Sequence, residues 1–211
     1  MLDVGCGNGR FARLLDGAGI DASYTGVDGS RRLLRLARDS TASLRQVDCQ
    51  FIQADLACAG WYSDLAADGL VKDKGTGKSD QTVEAPRYGV VLCTATLQHL
   101  PGYGLRLRLM RDLKRLSAGN VILSFWQFLS SERFRKRLID PGEAGVSAAD
   151  LEPGDGLLPW RQGVDSIRYV HQVDERELRQ LASDSGQVVV HSFRADGKES
   201  DLNLYAVLGH S

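Results

Sequence analysis

Three acids and three glycines in the first 55 residues have types and spacing that can do chemistry: Asp3, Gly5, Gly7, Gly9, Asp28 and Asp55. Met1-Leu2-Asp3-Val4-Gly5-Cys6-Gly7-Asn8-Gly9 reads as the end of a buried strand, an acid, a glycine-rich turn and then a helix opening at Arg10. Alternate glycines let such a turn take positive φ and let a ligand approach bare backbone, while the free N–H groups of the next helix point at that ligand. A nucleotide-like molecule fits there. The dinucleotide fingerprint needs a small residue three places after its second glycine; counted from Gly5 and Gly7, that place holds Arg10. A pyrophosphate is therefore a poor fit. Asp28 closes a run rich in β-formers about 20 residues beyond the turn, where an acid accepts both hydroxyls of a ribose. Asp55 closes a third strand-like run, residues 50–55.

These residues need a sheet and flanking helices to hold them, and the rest of the pattern supplies both. Helices are expected over about 8–16 and 30–43, the second with Leu33, Leu34 and Ala37 inward and Arg31, Arg32, Arg35 and Arg38 around the remainder. Residues 88–93 form an apolar run, as in a strand buried on both faces. It leads into Thr94-Ala95-Thr96-Leu97-Gln98-His99-Leu100, the end of a central strand where open α/β sheets place ligands. The next helix has Leu105, Leu109, Leu113 and Leu116 at core spacing, with Arg106, Arg108, Arg111, Lys114 and Arg115 elsewhere. A strand over 120–126 and a basic helix over 130–137 follow. Asp174 caps a later helix, with Glu177 at capping-box spacing. Strands 187–194 and 201–208 make a hairpin around Asp196-Gly197.

Two stretches break the pattern. Residues 57–87 are polar and glycine-rich in the middle and read as a mobile insertion, opened by a short helix near 61–67. Residues 140–167 form a second irregular region, containing Leu157-Leu158-Pro159-Trp160-Arg161.

At 211 residues the chain is long enough for one domain, residues 1–211, to bury a core without metal or disulfide staples. The net charge of −1 gives no global basicity, so nucleic-acid binding would need a local patch. Four cysteines, Cys6, Cys49, Cys58 and Cys93, show neither a C-x-x-C pair nor zinc spacing, so no metal is expected. No signal peptide or membrane-length apolar run is apparent; a cytoplasmic location and no membrane partner are expected.

The string from Asp3 to Gly9, with Asp28 and Asp55 after it, resembles motif I and the following acids of the class I S-adenosyl-L-methionine (SAM) methyltransferases. The resemblance implies an α/β Rossmann-like fold: a seven-stranded, mostly parallel sheet with an antiparallel C-terminal strand and helices on both faces. Only Met1 and Leu2 precede Asp3, so the first strand is expected to be truncated against the usual length of about 5 residues. It also implies SAM as cofactor and S-adenosyl-L-homocysteine as product. Asp3 then lies near the ammonium of the methionine moiety with Gly5, Cys6, Gly7 and Gly9 beside it, Asp28 and Gly29 near the ribose, and Ala54, Asp55 and Leu56 near the adenine. Thr94 completes the cofactor set.

A second resemblance is carried by Gln98-His99-Leu100, Leu158-Pro159-Trp160, Arg168-Tyr169-Val170-His171 and the terminal strand Asn203-Leu204-Tyr205-Ala206-Val207-Leu208. These look like the tRNA wobble-uridine carboxymethyl methyltransferases, in which His-His, V-P-W and R-Y-Y-H stand at the corresponding places. The reaction implied is methyl transfer to the carboxylate of 5-carboxymethyluridine in tRNA. His99 and Arg168 are then the catalytic candidates, orienting or pairing with that carboxylate, and Gln98, Trp160, Arg161, Tyr169 and His171 the substrate-binding ones. Basic residues at 106–115 and 133–137 are candidates to follow the tRNA backbone. The partner expected is tRNA, with a small activating protein as a further one; the oligomeric state stays open.

Plainer roles compete. His99 can cap the following helix, Trp160 can anchor the insertion, and Arg168, Tyr169 and His171 can tie the last helix to the sheet. Two other functions also stay open: SAM-dependent O-methylation of a small molecule, and a non-catalytic, methyltransferase-like RNA-binding subunit.

Overall fold

The computed structural model describes residues 1–63, 65, 87–160, 166–198 and 200–210. They group into two compact units: Met1–Cys93 with Asp112–Val121, and Thr94–Arg111 with Ile122–Ser211. One seven-stranded sheet runs in the order β3-β2-β1-β4-β5-β9-β8, with β1 Leu2–Val4, β2 Ala22–Asp28, β3 Val47–Gln53, β4 Tyr88–Thr94, β5 Ser117–Trp126, β8 Gln187–Ala195 and β9 Asn203–His210. The pairs of β1 with β2, β1 with β4 and β2 with β3 are parallel, and β8 with β9 is antiparallel. The expected fold is the observed one, and its first strand is three residues long.

In the first unit, α1 Arg10–Gly17 and α2 Arg31–Thr41 follow β1 and β2. Ser30 caps α2, its side chain accepting from the N–H of Leu33. Ala12, Leu34 and Ala37 pack with Cys6, Tyr24, Val47 and Phe51 into one apolar cluster. Leu33, expected on the core side, is 37% exposed, because the face of α2 that meets this cluster is centred on Leu34, Ala37 and Thr41.

Of the expected insertion, 64 and 66–86 lie outside the described residues. Of the helix expected near 61–67, residues 61–63 form a turn and 65 is helical, while 64, 66 and 67 lie outside the described residues; Trp61 is buried, its indole N–H donating to Asp112 at 3.0 Å.

The second unit departs most from expectation. Its helices are α3 Tyr103–Leu116, which continues into the first unit, then α4 Glu132–Arg135 and α5 Glu175–Asp184. The basic helix expected over 130–137 shrinks to the single turn of α4 after a 3-10 turn, Phe128–Ser130. The irregular region contains a strand, β6 Asp155–Trp160, paired antiparallel with β7 Ser166–His171 as a separate two-stranded sheet. Its sequence hides it. Gly156, Leu157 and Leu158 are all buried in succession, which removes the alternation that marks a strand, and Pro159 argues against one. Phe128 fills the space where a side chain at Gly156 would stand, and Phe128, Leu158 and Val170 form the core beneath the hairpin.

Arg106 corrects the outward placement of the basic residues on α3. It is 1% exposed, and its guanidinium meets Glu152 at 2.7 Å and Glu177 at 2.9 Å, so it is not available to an RNA backbone.

Candidate functional site

In the first unit the glycine-rich turn uses its own N–H groups. Gly5 and Cys6 donate to Val27 O at 2.7 and 2.9 Å, Gly9 donates to Cys6 O at 3.0 Å, and Gly7 donates to the Asp28 carboxylate at 2.9 Å. Gly5, Gly7 and Gly9 take φ of 78°, 56° and 71°, a region where a side chain is strained. With these donors engaged inside the protein, the turn is no cradle for a pyrophosphate, which agrees with the failed dinucleotide spacing. Asp28 holds the turn on one side and the start of α2 on the other: its second oxygen accepts from Ser30 N–H at 2.8 Å.

Asp3 is fully buried. One of its oxygens accepts from the Tyr24 hydroxyl, and the other, Oδ1, has no hydrogen-bond partner among the described residues. Burial raises its pKa to about 6, with the Tyr24 hydrogen bond working the other way. An orphaned buried carboxylate oxygen seeks a cation. Asp55, exposed beyond the end of β3, accepts from Ala57 N–H at 2.9 Å, while Ala54 N–H donates to Asp28 O at 3.2 Å. Gly29 is exposed and Leu56 half-buried. Gly26, which the sequence reading passed over, is needed for closeness: a Cβ there would lie 2.8 Å from both Cys6 Sγ and the Phe51 ring.

In the second unit, Trp126, Phe134, Arg137, Leu158, Pro159, Trp160 and Arg168 line a cleft of about 260 Å³. The Arg168 guanidinium lies 4.4 Å from the Trp160 ring and 5.3 Å from that of Trp126, and Trp126 meets Phe134 edge-on at 4.5 Å. Arg168 Nε is buried with no hydrogen-bond partner, and no acid pairs with Arg168 among the described residues. Burial lowers its pKa from the ordinary arginine value. Two indole faces supply partial negative charge, but the edge of the guanidinium still lacks an acceptor.

His99 ends a 3-10 turn, Leu97–His99, that follows β4, and its Nδ1 lies 3.1 Å from Tyr169 O. Burial lowers its pKa; the Tyr169 carbonyl raises it and the charge of Arg168 lowers it. A carbonyl only accepts, so Nδ1 carries the hydrogen, and a neutral ring has no second N–H left for a carboxylate. Donation from His99 to a carboxylate therefore requires a second proton on the ring, which burial and the charge of Arg168 oppose.

Three other expected substrate residues are engaged inside the protein. Gln98 is 3% exposed and accepts from Trp126 N–H at 2.7 Å. The Tyr169 hydroxyl donates to Asp155 at 2.6 Å. His171 is 1% exposed, with its two nitrogens 2.6 Å from Asp155 and from Glu177. Burial lowers the pKa of His171, but those two carboxylates outweigh it and the net shift is upward. Instead of contacting substrate, His171 ties β6, β7 and α5 together. Glu152, Asp155 and His171 bring potential metal ligands within 4.8 Å of one another, but the Arg106 guanidinium already supplies the cation beside Glu152. Arg161 lies outside the described residues. Thr94, half-buried at the end of β4, falls in the second unit; its carbonyl accepts from the Thr96 hydroxyl at 2.9 Å.

The profile of a family described as "Methyltransferase domain" matches residues 1–192. The chain belongs to that family. Solved structures similar to this methyltransferase include a SAM-dependent methyltransferase from Methanosarcina mazei, 18% identical, covering 99% of this chain and 91% of that one at a TM-score of 0.68. Magnesium protoporphyrin IX methyltransferase from Synechocystis, with bound S-adenosyl-L-homocysteine, is 19% identical over 100% of this chain and 73% of its own at a TM-score of 0.60. The CcbJ methyltransferase of Streptomyces caelestis is 17% identical over 100% and 88% at 0.61. A search of curated proteins gives no match. The cofactor that this fold implies is SAM, and the methyltransferase has residues that fit it: a partnerless buried carboxylate oxygen for an ammonium, a turn that asks for no phosphate, and Asp28 for ribose hydroxyls. No helix among the described residues is long and apolar enough to cross a membrane.

Proposed function

We propose that this methyltransferase uses SAM to esterify the carboxylate of 5-carboxymethyluridine at the wobble position of tRNA. The observation that carries the reading is Arg168, a cation with two indole faces against it and no acid paired to it among the described residues, in a cleft open to ligand. A planar ring bearing an anion satisfies both features. At about 260 Å³ the cleft is below the range of about 300–1,000 Å³ that drug-sized ligands fill, a size suited to one ring.

SAM supplies a methyl group made electrophilic by the sulfonium. The protein's part is binding and orientation. A carboxylate of ordinary pKa, about 4, is already ionised at neutral pH, so no residue has to take a proton from it. Arg168 would pair with one carboxylate oxygen and leave the other free to accept the methyl group that the sulfonium gives up. Trp160 and Trp126 offer faces for the base and keep water from the cleft. Asp3 holds the ammonium and Asp28 the ribose of the cofactor.

A second reading, O-methylation of a small molecule through a hydroxyl, is favoured by one observation: His99, whose Nδ1 is committed to the Tyr169 carbonyl, keeps a ring nitrogen with no hydrogen-bond partner among the described residues. Transfer of label from methyl-labelled SAM to tRNA lacking the wobble ester, followed by mild alkali, separates the two. Release as methanol is expected. Label that resists alkali, or no incorporation by protein that binds SAM, overturns the carboxymethyluridine reading.

A further inference from the structure

The cleft of the second unit has a second cation in its wall. Arg137 lines it together with Arg168, and the other lining residues are aromatic or apolar, with no carboxylate among them. The basic run at 133–137 narrows to this one residue, because its neighbours are engaged. The Arg133 guanidinium lies 5.0 Å from the Phe134 ring, the Arg135 guanidinium donates to Leu129 O at 2.6 Å, and Lys136 pairs with Glu132 at 2.6 Å. The Arg137 side chain has no hydrogen-bond or ion-pair partner among the described residues. Its backbone is held at two points next to the cleft. Arg137 N–H donates to the carbonyl of Phe134, itself a lining residue, at 2.9 Å, and Ile139 N–H donates to Leu157 O at 2.9 Å, one position before the lining residue Leu158. Arg168 is half-buried and Arg137 exposed, so one cation is partly withdrawn from water and the other meets it.

Two cations in one cleft, without a carboxylate, select a ligand with two anionic groups. The carboxylate of 5-carboxymethyluridine answers Arg168 and leaves Arg137 uncompensated. The free nucleoside has no second anion, whereas the same residue within an RNA strand has a phosphodiester on each side. Resting on the carboxymethyluridine reading, we propose that Arg137 is a specificity-determining residue that pairs with a phosphodiester adjoining the wobble residue while Arg168 takes the carboxylate. The planar fork of an arginine matches two phosphate oxygens, and a contact of this kind positions a strand without reading its sequence. The cleft, at about 260 Å³, has room for one ring, so the phosphodiester belongs on its exposed side, where Arg137 stands. The two arginines together then separate the modified residue in a strand from the free nucleoside, which offers one anion only.

The test is a cycle between protein and RNA. Anticodon stem–loops with 5-carboxymethyluridine at the wobble position are made with a neutral methylphosphonate in place of the phosphodiester on its 5′ or its 3′ side. Their binding to wild-type protein and Arg137→Gln, each loaded with S-adenosyl-L-homocysteine, is measured by calorimetry. At one of the two linkages the methylphosphonate should weaken binding to the wild-type protein by up to about 5-fold, the range of an exposed ion pair. Arg137→Gln should bind the unaltered stem–loop more weakly by a similar factor and lose nothing further at that linkage. Arg137→Lys, which keeps a cation there, should keep part of the sensitivity. A merely structural role for Arg137 weakens every stem–loop alike, so losses that simply add at both linkages overturn the assignment, as does unchanged affinity in Arg137→Gln. A stem–loop with unmodified uridine tests the reading beneath it. If that RNA binds the wild-type protein as tightly as the carboxymethyl one while the cycle still shows coupling, the carboxymethyluridine reading alone is overturned. Failure of every stem–loop to bind overturns both.

Discussion

The Tyr24 hydroxyl donates to one oxygen of the Asp3 carboxylate and leaves the other, in a fully buried side chain, without a partner among the described residues. Burial raises the Asp3 pKa to about 6, above the ordinary value, so the folded protein holds this proton more tightly than the unfolded chain does. Stability from this group is therefore greatest at low pH and falls as pH rises from about 4 to about 6. An ammonium beside Oδ1 reverses the preference, because it favours the carboxylate. SAM affinity should then decline as pH falls below about 6, by up to about tenfold per pH unit, with proton release on binding near pH 5.5. Calorimetry in buffers of different ionisation enthalpy measures both; a pH-independent affinity would remove Asp3 from the ammonium site.

Asp28 has two tasks that substitution can separate. Its oxygens accept from Gly7 and Ser30 N–H groups at 2.9 and 2.8 Å, and it is the acid placed to take the ribose hydroxyls. Asp28→Ala should weaken SAM binding by about 1–3 kcal/mol per charged hydrogen bond lost. Asp28→Asn keeps one acceptor and should lose less. Titration of both variants with SAM checks the order; unchanged affinity in Asp28→Ala counts against the cofactor assignment.

Gly26 and Gly7 should respond to alanine for different reasons. At Gly26 the new Cβ would lie 2.8 Å from Cys6 Sγ and from the Phe51 ring, so the core must shift, at a cost of about 1–3 kcal/mol. At Gly7 nothing lies within 4 Å of the new Cβ, and the cost is that of a positive φ alone, about 1 kcal/mol. Denaturant midpoints of the two variants give the comparison, and a larger loss at Gly7 would contradict it.

Removal of Arg106 strands two carboxylates, Glu152 and Glu177, that now share one guanidinium. Arg106→Met is expected to cost about 3–5 kcal/mol, the usual result of breaking a buried ion pair from one side. Adding Glu177→Gln to it should recover part of the loss. Urea unfolding of the single and double variants decides; strictly additive losses would mean the pair is not coupled.

Arg168→Lys keeps the charge of the cleft but gives up the planar group that lies against Trp126 and Trp160. If Arg168 pairs with the acceptor carboxylate through that plane, KM for unesterified tRNA should rise about 10-fold or more while SAM affinity stays as it is. Steady-state kinetics with both substrates varied gives the two constants separately. An unchanged KM would place the acceptor elsewhere.

What the sequence determined by itself is local. The run from Asp3 to Gly9, Asp28 at the end of β2, and the Asp174 cap on α5 each depend on residues close along the chain or on a repeating spacing, so they were legible. The strands of the large sheet were legible as runs along the chain, their arrangement in the sheet came from the resemblance, and β6 was not legible. The tertiary structure decided which polar groups meet. Glu177 stands at capping-box spacing from Asp174, yet its carboxylate turns to Arg106 and His171, 71 and 6 residues away. Arg106 read as an outward charge because hydrophobic periodicity records apolar faces only; its burial depends on Glu152, 46 residues further on. The cleft, likewise, draws Trp126 from β5, Trp160 from β6 and Arg168 from β7. No spacing rule links those three: the β6–β7 pairing joins two of them, and side-chain packing against Trp126 adds the third. The proton on His99 is set in the same way, by the Tyr169 carbonyl 70 residues further along the chain.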